Sequence, residues 1–156
     1  MTLIVIAGCG RVGEKVAKMV NDRGYEVTVV DEDEGVCEYL RKKSLIDRVE
    51  NGSVTDKDLL ETLEINRCEH FVSLTNDQED NGRSCEIVKN LDDSTHTVDR
   101  RTEKHSPIPS DNSDIEDIVY PKEHGARATV NLTTTRDFRA LEDIEGDLEL
   151  IEVRVR

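Results

Sequence analysis

The 156-residue chain carries 35 acidic against 21 basic residues, a formal net charge of −14. That excess excludes a general role on nucleic acid or an anionic membrane surface, since both are polyanions that need a basic face. The length fits one domain of ordinary size, and the longest apolar run, Leu3 to Ala7, falls far short of the ~20 residues of a membrane span.

Strand and helix alternate from the first residues. Leu3-Ile4-Val5-Ile6-Ala7 is a continuous β-branched run of the kind buried on both faces of a parallel sheet. Gly8-Cys9-Gly10-Arg11-Val12-Gly13 follows, then a helical pattern with Val12, Val16, Met19 and Val20 on one face, ending at Gly24. Val27 to Val30 predicts a second strand ending at Asp31, residues 34–43 a short helix with Val36, Cys37 and Leu40 inward, and Leu45 to Val49 a weaker third strand. After Asn51-Gly52, Thr55 or Asp56 can cap a helix carrying Leu59, Leu60 and Leu63. Phe71 to Leu74 predicts a fourth strand, 77–91 the next helix, Thr95 to Val98 a poor fifth strand, Ile115 to Tyr120 a sixth, and Lys122 to Thr135 a closing helix. The expected fold is therefore α/β, a Rossmann-like doubly wound parallel sheet of about six strands with helices on both faces. Lys104 to Asp114, with two prolines and no apolar period, reads as a loop in place of a crossover helix. The tail Leu148 to Arg156 alternates like one further strand, the opening of a following unit or one that pairs with another chain.

Cys9, Cys37, Cys68 and Cys85 form no C-x-x-C pair. No charged-then-apolar leader precedes Leu3, so a soluble cytoplasmic protein with reduced core thiols is expected. With tryptophan absent and aromatics at 3%, the core has to be built from Val, Ile, Leu and Ala. Thirteen of the basic residues are Arg and eight are Lys. A Lys-poor, acid-rich surface suits a halophilic cytoplasm, and a plain acidic protein explains it as well.

The chemistry concentrates in the glycine fingerprint. Gly8 permits a tight turn out of the first strand, Gly10 lets backbone approach a pyrophosphate, and Gly13 lets the helix pack close. The helix N-terminus presents free N–H groups and the positive dipole end to phosphates. Asp31, 18 residues after Gly13 at the end of the second strand, is placed to accept hydrogen bonds from an adenosine ribose. It would repel a 2′-phosphate, and Glu32 beside it offers no compensating cation. NAD(H) or a free adenine nucleotide is expected, not NADP. Tyr39-x-x-x-Lys43 copies a dehydrogenase pair only superficially, and His70, His96, His105 and His124 show no ligand or base-partner spacing. No catalytic residue or metal site is predicted, and the chain is not expected to be an enzyme.

IVIAGCGRVG, VVDED, the Gly52-Ser53-Val54-Thr55-Asp56 turn, FVSLTNDQEDN and IVYPKEHGAR occur in that order. Together they resemble the Trk-type N-terminal nucleotide-binding domain, the N-lobe of the domain that regulates potassium conductance. The resemblance spans about residues 2–135, so 1–135 would be the N-lobe and 136–156 a hinge and first strand of a C-terminal lobe, with a cut before that lobe favoured. It implies a regulator that binds NAD(H) or ATP/ADP and gates a membrane-embedded potassium transporter or channel subunit from its cytoplasmic side. By position, Gly8, Cys9, Gly10, Arg11, Val12 and Gly13 form the phosphate turn, with Arg11 reaching a phosphate. Asp31 and Glu32 take the ribose side, Gly52 and Ser53 lie near the adenine, and Thr75, Asn76 and Asp77 line the cleft with Asn81 behind. Gly82-Arg83-Ser84-Cys85-Glu86 replaces an apolar family helix face, so a homodimer through 122–145, using Ala126, Val130, Leu132, Phe138 and Leu141, is expected over a full ring. An NAD-dependent oxidoreductase or its cofactor-binding fragment is the alternative, and a dimerisation module without ligand a third reading.

Overall fold

The computed structural model describes residues 2–44, 46–102, 115–134, 138–144 and 148–153. They fall into two units, 1–119 and 120–156. In the first, β1 (Leu3–Ala7), β2 (Glu26–Asp31), β3 (Arg48–Asn51), β4 (Cys68–Ser73), β5 (His96–Arg100) and β6 (Asp117–Val119) form one sheet. Its order is β3-β2-β1-β4-β5-β6, and every pairing is parallel. The order reverses beside β1, so the loops after β1 and β4 part there and leave a crevice at the C-terminal edge.

The β-branched strands bury both faces. Ile4, Ile6, Val27 and Val29 pack on one side with Ala17 of α1 (Arg11–Asn21) and Leu40 of α2 (Glu34–Lys43). Leu3, Val5, Ala7 and Phe71 pack on the other with Leu60 of α3 (Lys57–Glu61) and Cys85 and Val88 of α4 (Gln78–Leu91). Helices thus cover both faces, as the alternation predicts. Cys9, Cys37, Cys68 and Cys85 are free and buried; burial lifts the Cys68 thiol to about 11 and pushes Cys85 up further.

Two details of this unit differ from expectation. Met19 is 54% exposed. Gly13 and Ala17 are the buried positions of α1, and Met19 lies about 200° around the helix from Ala17. The third strand runs Arg48–Asn51 instead of 45–49. Before it, the carboxylate of Asp47 accepts the N–H of Val27 at 3.0 Å, and the register then pairs Thr28 with Arg48 and Asp31 with Asn51. Its polar residues follow the strand they pair with, not an apolar run.

The second unit contains α5 (Pro121–Thr134), which has proline at its first position where no intrahelical N–H is required. It also contains an antiparallel pair, β7 (Phe138–Ile144) with β8 (Leu148–Val153). The tail thus supplies two strands where one was expected. Ala126 and Val130, named for a dimer surface, are exposed on α5; the side chains of Leu132, Phe138 and Leu141 lie outside the description. The loop expected at 104–114 also lies outside the described residues. No helix among the described residues is long and apolar enough to cross a membrane.

Candidate functional site

The three glycines after β1 meet three different surroundings. Gly8 has φ +88°, and a Cβ there would stand 2.7 Å from the backbone nitrogen of Thr75. Its N–H donates to the carbonyl of Val30 at 2.8 Å. A Cβ on Gly13 would overlap the Gly8 carbonyl, whereas nothing lies within 4 Å of the place a Cβ on Gly10 would take. Gly10 alone therefore faces open space.

Gly10 is also the N-cap of α1 and offers no side-chain acceptor. The other three α-helices of this unit are capped by aspartate. Asp33 accepts from Gly35 and Val36, Asp56 from Asp58 and Leu59, and Asp77 from Glu79 and Asp80. At α1 the N–H groups of Arg11, Val12 and Gly13 keep their donor capacity toward an anion, reinforced by the helix dipole. Arg11 is exposed, while Val12 packs its side chain into the core. Cys9 is 3% exposed, and burial, helped by Asp31, raises its thiol to about 12. What Cys9 offers the site is its backbone.

That backbone N–H donates to Asp31 Oδ2 at 2.6 Å, and the N–H of Asp33 donates to Oδ1 at 2.9 Å. A carboxylate has about four lone-pair positions, so Asp31 is oriented by two bonds and retains acceptor capacity for ribose hydroxyls. Its carbonyl accepts from the N–H of Gly52 at 3.0 Å and from Asn51 Nδ2 at 3.0 Å. Asn51 also bonds the carbonyl of Glu32 at 3.1 Å, leaving the Glu32 side chain exposed. A Cβ on Gly52 would come 2.5 Å from Leu59 Cδ2. Ser53 closes a local turn, its Oγ 3.0 Å from Thr55 Oγ1 and accepting the Thr55 N–H at 3.3 Å.

The loop after β4 forms the opposite wall. Thr75 Oγ1 donates to Asn81 Oδ1 at 2.6 Å, and the N–H of Thr75 reaches the same oxygen at 2.9 Å. Ser73 Oγ adds a third bond to it at 3.0 Å. Asn81 is 1% exposed, and its Nδ2 donates to the carbonyls of Thr75 and Arg100 at 3.2 and 2.9 Å. Its amide is thus taken up within the loop, Asp77 is engaged as a cap, and Asn76 is exposed. Sequence reasoning left out Arg100, whose Nη1 stands 3.1 Å from the carbonyls of Leu74 and Thr75 and from Asn76 Oδ1. Those partners lie 24–26 residues away, so no local spacing betrays the contact.

The structure therefore brings the glycine turn, Asp31, Gly52 and Thr75 to one edge of the sheet, joined by direct contacts. The donor set fits a nucleotide: bare backbone N–H groups for phosphates, an oriented carboxylate for a ribose, and open space at Gly10. His70 and His96 lie elsewhere on the sheet. His96 Nε2 is 2.8 Å from Asp117 Oδ2, and its ring meets that of His70 edge-on at 5.2 Å, at the opposite ends of the strands. Tyr39 donates to Glu14 at 3.2 Å, with Lys43 Nζ 5.3 Å from its ring centre, a surface contact of ordinary kind. Among the described residues no group of three or more His, Cys, Asp or Glu is arranged to hold a metal ion.

Comparison with known proteins agrees with this geometry. A Trk system potassium uptake protein TrkA homolog of Pyrococcus horikoshii is 29% identical over 104 residues, covering 64% of this chain and 43% of that one. The Trk system potassium uptake protein TrkA of Halomonas elongata is 36% identical over 90 residues, covering 56% and 19%. The chain spans less than half the length of these curated relatives. The GsuK channel bound to NAD superposes with a TM-score of 0.75 at 18% identity, covering 96% of this chain and 27% of that one, a likeness of fold. The family model of the TrkA-N domain matches residues 4–121, and the chain belongs to that family.

Proposed function

We propose that the chain is the ligand-sensing N-lobe of a potassium-transport regulator. It binds NAD(H) or ATP/ADP at the C-terminal edge of the sheet and passes ligand exchange to a membrane-embedded transporter or channel subunit. The observation that carries this reading is the contrast at the helix starts. Three helices satisfy their N-termini with their own aspartates, while α1, beside the oriented carboxylate of Asp31, does not. The names of the curated relatives, potassium uptake proteins, support the transport setting and a regulator over an oxidoreductase.

In this reading residues 1–135 form the N-lobe and 136–156 the hinge and opening of a C-terminal lobe. A homodimer forms through 122–145, on the cytoplasmic side of the membrane. Gly8, Cys9, Gly10, Arg11, Val12 and Gly13 hold the phosphates, Asp31 and Glu32 face the ribose, Gly52 and Ser53 flank the adenine, and Thr75 to Asp77 close the far wall. Regulation requires that the ligand bind two assembly states with different affinity, because equal affinity shifts nothing.

A thermal-shift panel of NAD, NADH, NADP, ATP, ADP and AMP in potassium chloride tests it. Ligands with a free 2′-hydroxyl are expected to raise the melting temperature by mass action, and NADP to give little shift. No shift with any of them refutes nucleotide sensing, and NADH oxidation by a small carbonyl compound would instead favour an enzyme.

A further inference from the structure

Arg100 lies outside the glycine turn and Asp31, yet the β4 wall of the cleft hangs on it. Its Nη1 reaches Leu74 O, Thr75 O and Asn76 Oδ1, each at 3.1 Å. The tie runs both ways: Asn81 Nδ2 donates back to the Arg100 carbonyl at 2.9 Å. Two residues on, Thr102 Oγ1 donates to Gln78 Oε1 at 3.1 Å, so the end of β5 is tied to Leu74, Thr75, Asn76 and Gln78. Thr75 is also the residue that leaves no room for a Cβ on Gly8. A hold on Thr75 is therefore a hold on the fit between the two loops that flank the cleft.

We propose that Arg100 is a positioning residue for this cleft, fixing loop 74–76 against Gly8 and so setting nucleotide affinity without touching the nucleotide. The proposal rests on the nucleotide reading above. Arg100 is a poor choice for stability alone, because its Nε is buried without a partner, a cost that an apolar side chain would avoid. The feature that an apolar residue lacks is a positive donor among three oxygens. A lysine ammonium, with three hydrogens on one nitrogen, can serve the same three acceptors; a methionine of similar length serves none.

The test compares Arg100→Lys and Arg100→Met in the full chain, by calorimetric titration with ADP and by amide exchange of Thr75 in the ligand-free protein. The methionine variant is expected to lose ADP affinity about tenfold as the wall loses its preorganisation. Its Thr75 amide should exchange faster while the amides of β1 do not. The lysine variant is expected to recover both, with affinity within about threefold of the unaltered chain. Should the methionine variant fail to fold, Arg100→Gln takes its place. Unchanged ADP affinity in the methionine variant, or an equal loss in both, overturns the proposal. An unaltered chain that binds neither ADP nor NADH overturns the nucleotide reading; unchanged Thr75 exchange in Arg100→Met separately overturns the hold on the loop.

Discussion

The carbonyl of Gly8 occupies the ground on which a side chain at Gly13 would have to stand. Strand β1 and helix α1 approach so closely there that backbone packs on backbone, which brings the helix N-terminus down to the sheet edge. Gly10, two residues after Gly8, is under no such constraint, since its Cβ would meet nothing within 4 Å.

Substituting the two glycines should therefore separate folding from binding. Gly13→Ala is expected to cost roughly 3 kcal/mol or more, because the clash is with backbone that cannot yield. Gly10, with φ −64°, accepts alanine at a change of within about 1 kcal/mol. The added methyl group would stand where phosphates approach the helix, so affinity should fall about tenfold. Urea denaturation and ADP titration of both variants check this; equal stability loss at the two positions would refute it.

Asp31→Asn tests the ribose side. The carboxylate now receives one N–H on each oxygen, from Cys9 and Asp33. An amide offers one oxygen and turns an NH2 toward the other donor. Stability is expected to fall by about 1–2 kcal/mol, and preference for NAD over NADP to shrink as the negative charge goes. Competitive titration reads the second effect, and a variant that still rejects NADP would show that Asp31 is not the discriminating group.

Asn81→Leu keeps nearly the same volume and removes every polar contact of the buried amide. The Thr75 N–H and the Arg100 carbonyl lose the amide that they bond, while the Ser73 and Thr75 hydroxyls keep Ser84 Oγ and the Asp77 carbonyl. A loss of roughly 3 kcal/mol or more is expected from denaturant titration. A change below about 1 kcal/mol, the net worth of an ordinary hydrogen bond, would show that the loop finds other partners.

Asp99 supplies a pH dependence. It is fully buried, bonds Arg101 Nε through Oδ2 at 2.5 Å, and leaves Oδ1 without a partner. Burial raises its carboxyl to about 6, with Arg101 offsetting part of the effect. Because the folded value lies above the usual 3.8, the native state holds the proton more tightly than the unfolded chain. The group thus erodes stability as pH rises from about 4 to about 6, by up to ~3 kcal/mol. Asp99→Asn should remove this erosion, so its stability relative to the unaltered chain should rise across that interval. Parallel pH profiles would contradict the assignment.

Much of this was legible in the sequence because it is local. Leu3–Ala7 and residues 34–43 appear as predicted, since a buried β-branched run and an aspartate-capped helix are decided by their own residues. Asp56 proves to be the cap, one of the two candidates. The misses are non-local. Strand β3 takes its register from β2, Met19 turns outward because Gly13 and Ala17 set the packed stripe, and the hairpin partner of the tail strand carries no periodic signal. Within the site, the glycine run and Asp31 were readable from spacing, and the hydrogen bond that orients Asp31 joins residues 22 apart. The internal duties of Asn81 and the reach of Arg100 exist only once β4 and β5 are side by side.

The aspartate caps carry one more consequence. Asp33, Asp56 and Asp77 start helices that follow strands of a parallel sheet, so all three stand at the C-terminal edge, with Asp31 and Glu32 among them. A phosphate approaching α1 crosses a fringe of carboxylates, on a chain whose net charge is −14. Dissolved ions shorten the range of that repulsion, to about 10 Å at 0.1 M and about 3 Å at 1 M. The association rate of an anionic nucleotide is therefore expected to climb with added potassium chloride, the reverse of a basic phosphate site. A nucleotide that binds beside α1 would thus dock more readily where dissolved salt is concentrated.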